Sequence, residues 1–122
     1  MAEVVRVLVV DDQETFARAM GAVVEETAGF DLVGSVGSGE QSVDAVATLH
    51  PDLVLMDVNM PGIDGLEATR RLCGLESPPI VVLLSTYDED EFDIAGCGAA
   101  SYVPKAMFGP DRLAAAWAGA TS

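Results

Sequence analysis

The chain has 122 residues, half of them hydrophobic, and its 20 acidic against 6 basic side chains leave a formal charge of −14. That length suits a single domain, 1–122, with a real core. So acidic a chain is a poor direct ligand for nucleic acid, whose phosphates call for clustered Lys and Arg. No apolar run approaches the roughly 18 residues of a membrane span, and the start Met-Ala-Glu-Val is no basic, apolar leader, so a soluble cytoplasmic protein is expected. Cys73 and Cys97 form no Cys-x-x-Cys pair and are expected to be free thiols.

In chain order, Val4 to Val10 is a valine-rich apolar run broken only by Arg6, a strand that ends in Asp11-Asp12. Glu14 to Thr27 places Phe16, Ala19, Met20, Val23 and Val24 at helical spacing, with Gly29 beyond as a stop. Phe30 to Val36 is a second strand. Ser38 with Gln41 resembles a capping box, opening a helix with Val43, Val46, Ala47 and Leu49 on one face before Pro51. Gly34, Gly37 and Gly39 miss the G-x-G-x-x-G spacing of a nucleotide loop and read as a turn. His50, alone before Pro51, reads as a cap or surface residue.

Leu53 to Met56 is a continuous apolar run too short for a typical helix and halted by Pro61-Gly62, hence a strand buried on both faces. It ends at Asp57. Asp64 with Glu67 repeats the capping pattern and starts a third helix with Leu66, Ala68, Thr69 and Leu72. Ile80 to Leu84 is another buried strand, ending in Ser85-Thr86. The acidic stretch Asp88 to Asp93 reads as a solvated face and leads into Ala95-Gly96-Cys97-Gly98-Ala99, a poor helix, so the helix between the fourth and fifth strands is expected to be short or irregular. Ser101 to Val103 is a last strand, ending at Pro104-Lys105. Gly109-Pro110 opens a final helix with Leu113, Ala116 and Trp117 inward.

Five strands alternating with helices predict an α/β fold, a doubly wound parallel sheet covered on both faces. In such sheets ligands bind outside the carboxyl ends of the strands, and that is where Asp11, Asp12, Asp57, Ser85 and Lys105 would gather. Taken alone, Asp57 would be a loop-cap aspartate and Tyr102 a core residue. Taken together, carboxylates about 4 Å apart repel by roughly 4 kcal/mol per pair at an effective dielectric near 20, more than one lysine offsets. A hard divalent cation is the natural remedy, and magnesium takes oxygen ligands and is commonly shared with phosphate. A carboxylate beside it can attack phosphorus while Lys and a hydroxyl hold the other phosphoryl oxygens. The pattern suggests an aspartyl-phosphate site.

The combination Val-Val-Asp-Asp, Leu-Met-Asp-Val-Asn-Met-Pro-Gly-Ile-Asp-Gly, Leu-Leu-Ser and Tyr-Val-Pro-Lys resembles the receiver domain of two-component response regulators over essentially the whole chain. The resemblance implies a flavodoxin-like sheet in the order 2-1-3-4-5 and a phospho-acceptor switch rather than an enzyme. By it Asp57 is the phosphoacceptor, Asp12 a direct magnesium ligand, Asp11 a partner of the ion largely through water, and the Asn59 carbonyl a further ligand. Ser85 matches the hydroxyl that bonds the phosphoryl group, Lys105 the pairing lysine and Tyr102 the aromatic switch. The implied partners are a sensor histidine kinase or phosphotransfer protein as donor, and a downstream protein, an output domain or a second copy in a homodimer. The stretch Asp88 to Ala99, rich in carboxylates, with two helix-weakening glycines and few large apolar anchors, is expected to be the softest part of the chain, so the face it forms with the last strand and the last helix is the expected partner-binding surface.

Three features depart from the family pattern. Proline precedes Lys105, and Ala106 rather than proline follows it; the segment between Ser85 and Lys105 is short; and Thr86 is bulkier than the small residue often found there. Other classes fit less well. A phosphatase of the haloacid-dehalogenase type needs a second acid two residues after the nucleophile, where Asn59 stands. A flavodoxin-like cofactor binder would meet Asp11-Asp12 where it needs a phosphate loop. A degenerate receiver acting only as a docking module would not need the complete acceptor, metal, hydroxyl and lysine set.

Overall fold

A computed structural model describes residues 4–58, 65–85 and 98–121. The strands β1 (Val5–Val10), β2 (Phe30–Val36), β3 (Leu53–Asp57), β4 (Ile80–Ser85) and β5 (Ser101–Pro104) form one sheet in the order β2-β1-β3-β4-β5. All four pairings are parallel. The central strands are apolar on both sides because both sides are covered. Leu8, Val10, Val54, Met56, Val81 and Leu83 face α2 (Gly39–Leu49) and α3 (Gly65–Cys73). The alternate residues Val7, Val9, Leu53, Leu55, Val82, Leu84 and Val103 face α1 (Glu14–Glu26) and α4 (Pro110–Thr121). Leu53, Leu55, Met56, Leu83 and Leu84 are entirely buried, each such side chain contributing about 1.5–3 kcal/mol of transfer free energy. The expected fold class and strand order are therefore observed.

Helix α2 begins where a polar side chain satisfies one of its first N–H groups, whereas the N-cap of α1, Gln13, makes no side-chain cap bond. The Ser38 hydroxyl accepts from the Gln41 N–H at 3.1 Å, while the Gln41 side chain reaches back to the Gly37 N–H at 2.9 Å, a capping box displaced by one residue. His50 closes α2 in the left-handed region, φ 50°, its N–H bonded to the Val46 carbonyl, and its own carbonyl accepts from Arg6. The Asp64 cap expected for α3 lies outside the described residues, as does most of the 88–99 segment.

Two helix faces differ from expectation by a turn of the wheel. In α1 the buried positions are Ala17, Met20, Gly21 and Val24, and Ala19 is exposed; in α2 Ala47 is exposed while Ser42 is buried. Alanine is too small to decide a face, so the larger residues at spacing 3 and 4 set the rotation. The three glycines expected to form a turn are also distributed otherwise: Gly34 lies within β2, Gly39 opens α2, and only Gly37 falls in the connection. At Gly34 an added Cβ would stand 2.9 Å from Leu49 and 3.2 Å from Leu8, so the missing side chain lets α2 pack onto the sheet. Cys73 is a free thiol donating to the Gly98 carbonyl at 3.3 Å. Among the described residues no helix is long and apolar enough to cross a membrane.

Candidate functional site

The parallel order brings the carboxyl ends of β1, β3, β4 and β5 to one edge of the sheet, and strand alternation aims the side chains there. Asp57 continues the alternation of Leu53 and Leu55, and Lys105 continues that of Val103, so both point to the α1/α4 side. Their ion pair is the result. The Lys105 ammonium lies 3.3 Å from Asp57 Oδ1 and 2.9 Å from Asp11 Oδ2. All three are buried, Asp11 and Asp57 at 3% exposure and Lys105 at 8%, and buried charges of this kind persist only when paired.

Asp11 is held from two directions. Its Oδ1 accepts from the Gln13 N–H at 2.8 Å while Oδ2 takes Lys105. Gln13 then starts α1, its carbonyl accepting from the Ala17 N–H at 2.9 Å. Asp12 is exposed at the same mouth. Carboxylate oxygens of Asp11, Asp12 and Asp57 lie within 4.8 Å of one another, a cluster able to hold a metal ion. Asp11 has both oxygens engaged by the protein, and Asp12 is exposed.

Ser85 ends β4, fully buried, one residue beyond Leu84, the register partner of Asp57. It follows the alternation of Leu83, and Tyr102, opposite Leu83 across the β4–β5 ladder, packs on the same α2/α3 side. Pro104 sits opposite Ser85 on the edge strand, where a missing N–H costs the sheet little. The proline that departs from the family pattern thus ends β5, and Lys105 begins a single 3₁₀ turn, Lys105–Met107, with its side chain delivered to both carboxylates. Asn59 and Thr86 lie outside the described residues.

Gly65 is a site residue whose role sequence reasoning missed. Its N–H donates to the Val58 carbonyl at 2.9 Å, and a Cβ built on it would lie 2.1 Å from the Asp57 carbonyl oxygen and 2.7 Å from Val58 Cα. The start of α3 therefore rests directly on the backbone that carries Asp57, and buried Thr69 bonds the Gly65 carbonyl at 2.6 Å. The signal was the glycine inside the quoted motif, but only the packing reveals that what it supplies is space.

A buried carboxylate–lysine pair among further carboxylates, at the carboxyl edge of a 2-1-3-4-5 parallel sheet, defines the class as a doubly wound α/β domain with a polar strand-end site. The sequence pattern of the response regulator receiver domain matches residues 7–118, and the chain belongs to that family. It is a receiver domain of the two-component systems, a phospho-acceptor signalling switch. It is 42% identical over 103 residues to the response regulator GacA of Pseudomonas viridiflava, covering 83% of this chain and 48% of that protein. It is 37% identical over 103 residues to the transcriptional regulatory protein LiaR of Bacillus subtilis, covering 83% and 49%. The chain thus spans about half the length of these curated relatives. Among solved structures, the signal receiver domain of the response regulator NarL from Mycobacterium tuberculosis superposes with a TM-score of 0.89 at 27% identity, over 98% of both chains.

Proposed function

We propose that Asp57 is the phosphoryl acceptor of this switch and that its donor is the phosphohistidine of a sensor histidine kinase or phosphotransfer protein. The observation that carries the proposal is the buried Asp57 carboxylate, 3.3 Å from the Lys105 ammonium, with Asp11 and Asp12 oxygens within 4.8 Å. In the transfer an Asp57 oxygen forms a bond to phosphorus as the phosphorus–nitrogen bond to the donor imidazole breaks, and the electron pair stays on that nitrogen. Lys105 balances charge on the arriving group, because its ammonium already faces Asp57. The Ser85 hydroxyl, at the end of the adjacent strand, donates to a second phosphoryl oxygen.

The donor set fits magnesium. Three carboxylates and one ammonium carry a formal charge of −2, which a single divalent cation cancels, and all the ligands are hard oxygens. Asp12, Asp57 and the Asn59 main-chain carbonyl would hold the ion, with Asp11 behind them. When bound, it supplies charge neutralisation for the attacking and phosphoryl oxygens.

Phosphorylation then shifts a two-state population, since the phosphoryl group interacts differently with the two positions of Ser85. Tyr102 shares the face of the sheet with Ser85, which supports reading it as the side chain that follows the movement. The responding surface is the 88–99 segment with β5 and α4, and its reader is a downstream protein or an output domain joined to the receiver. A cytoplasmic setting accords with this reading, as does the free thiol of Cys73. The test is labelling with a small acyl-phosphate donor, with and without magnesium. Wild type takes an acid-labile, magnesium-dependent label and Asp57→Asn takes none; equal labelling of the variant sends the acceptor assignment elsewhere.

A further inference from the structure

Phe16 lies in the first turn of α1, and helical spacing marks it only as a core residue. Its ring centroid is 4.3 Å from the Lys105 ammonium, within the range where a cation is attracted to the face of an aromatic ring. Among the described residues the ammonium has three partners: Asp11 Oδ2 at 2.9 Å, Asp57 Oδ1 at 3.3 Å and the Phe16 ring. The placement follows from the chain itself, since Asp11 fixes the Gln13 N–H, Gln13 accepts from Ala17, and the helix so anchored carries Phe16 over the site.

We propose that Phe16 is a positioning residue for phosphoryl transfer, holding the Lys105 ammonium at the strand-end cluster through the face of its ring and excluding water from it. This rests on the reading of Asp57 as acceptor and Lys105 as its charge partner. A lysine stem is flexible and its ammonium strongly hydrated. An apolar group of similar size would still exclude water but would not attract the charge, so without the ring's negative face the ammonium spends less time against Asp57. Acceptance of the phosphoryl group slows accordingly.

The experiment measures the rate constant for labelling of the full chain by a small acyl phosphate with magnesium, in wild type, Phe16→Leu, Phe16→Tyr and a form in which Phe16 is replaced by pentafluorophenylalanine. The last keeps the ring's shape and removes its attraction for cations, so it decides the matter even if the leucine variant fails to fold. The expected result is a loss of about 3- to 10-fold for leucine and for the fluorinated ring, the range of a partly desolvated cation–π contact, with tyrosine within about twofold of wild type. The magnesium concentration for half-maximal thermal stabilisation should stay unchanged. A fluorinated form as fast as wild type, or tyrosine slowed as much as leucine, overturns the proposal and makes Phe16 a packing residue. Wild type that takes no label at Asp57 refutes the acceptor reading instead.

Discussion

Removing the Asp12 carboxylate should stabilise the metal-free protein. In that state its oxygen stands within 4.8 Å of oxygens of both Asp11 and Asp57, while the Lys105 ammonium pairs with those other two residues at 2.9 and 3.3 Å. At 4.8 Å one such repulsion is about 0.9 kcal/mol in bulk water and about 3.5 kcal/mol at an effective dielectric of 20. Asp12 is exposed, so screening puts each pair in the lower half of that range. Two repulsions, less the longer-range attraction to the ammonium, leave about 1–2 kcal/mol. For a chain this size that is a rise in Tm of about 4–8 °C. Magnesium reverses the order: an ion that binds only the native state adds about 1.4 kcal/mol at ten times its Kd, which wild type gains and Asp12→Ala largely loses. Thermal melts of both proteins in EDTA and across a magnesium titration read both effects. If Asp12→Ala melts at or below wild type in EDTA, the electrostatic account of the cluster is wrong.

Lys105→Met leaves Asp11 and Asp57 buried without their shared cation and should cost about 3–5 kcal/mol in metal-free urea unfolding, part of it recovered by magnesium; a loss below about 1 kcal/mol contradicts the pairing. Gly65→Ala must push the Asp57 backbone away, since the new Cβ would begin 2.1 Å from its carbonyl oxygen, and a shift of that order should slow labelling by about 10- to 100-fold. Gly119→Ala, where an added Cβ meets nothing within 4 Å, is the control and should label at the wild-type rate. Ser38→Ala removes the acceptor for the Gln41 N–H and should cost about 1 kcal/mol of stability without altering labelling; an unchanged urea midpoint would show that the cap contributes nothing.

The sheet was legible because its central strands carry their evidence locally. Leu53 to Met56 and Ile80 to Leu84 are too short for helices and too apolar to be half exposed, so a parallel sheet with two covered faces follows. Once the strands are parallel, every strand-end polar residue lands on one edge, and Asp11, Asp12, Asp57, Ser85 and Lys105 could be gathered without coordinates. What stayed hidden depends on distances between elements. Ala17 and Ala19 are the same residue, so side-chain size cannot signal which faces the sheet, and the contact decides it. Gly65 looks like any turn glycine until α3 is seen resting on the Asp57 backbone. Phe16 looks like core because helical periodicity records which side is inward and not that a lysine arrives there from a residue 89 positions later.

The central claim, that Asp57 receives the phosphoryl group, is tested most directly by trapping the adduct where it forms. Borohydride reduces an aspartyl phosphate to homoserine, and tandem mass spectrometry of the digested chain locates the converted residue. After treatment with an acyl phosphate and magnesium, homoserine is expected at position 57 and aspartate at positions 11 and 12. Conversion at Asp11 or Asp12 with Asp57 intact would contradict it.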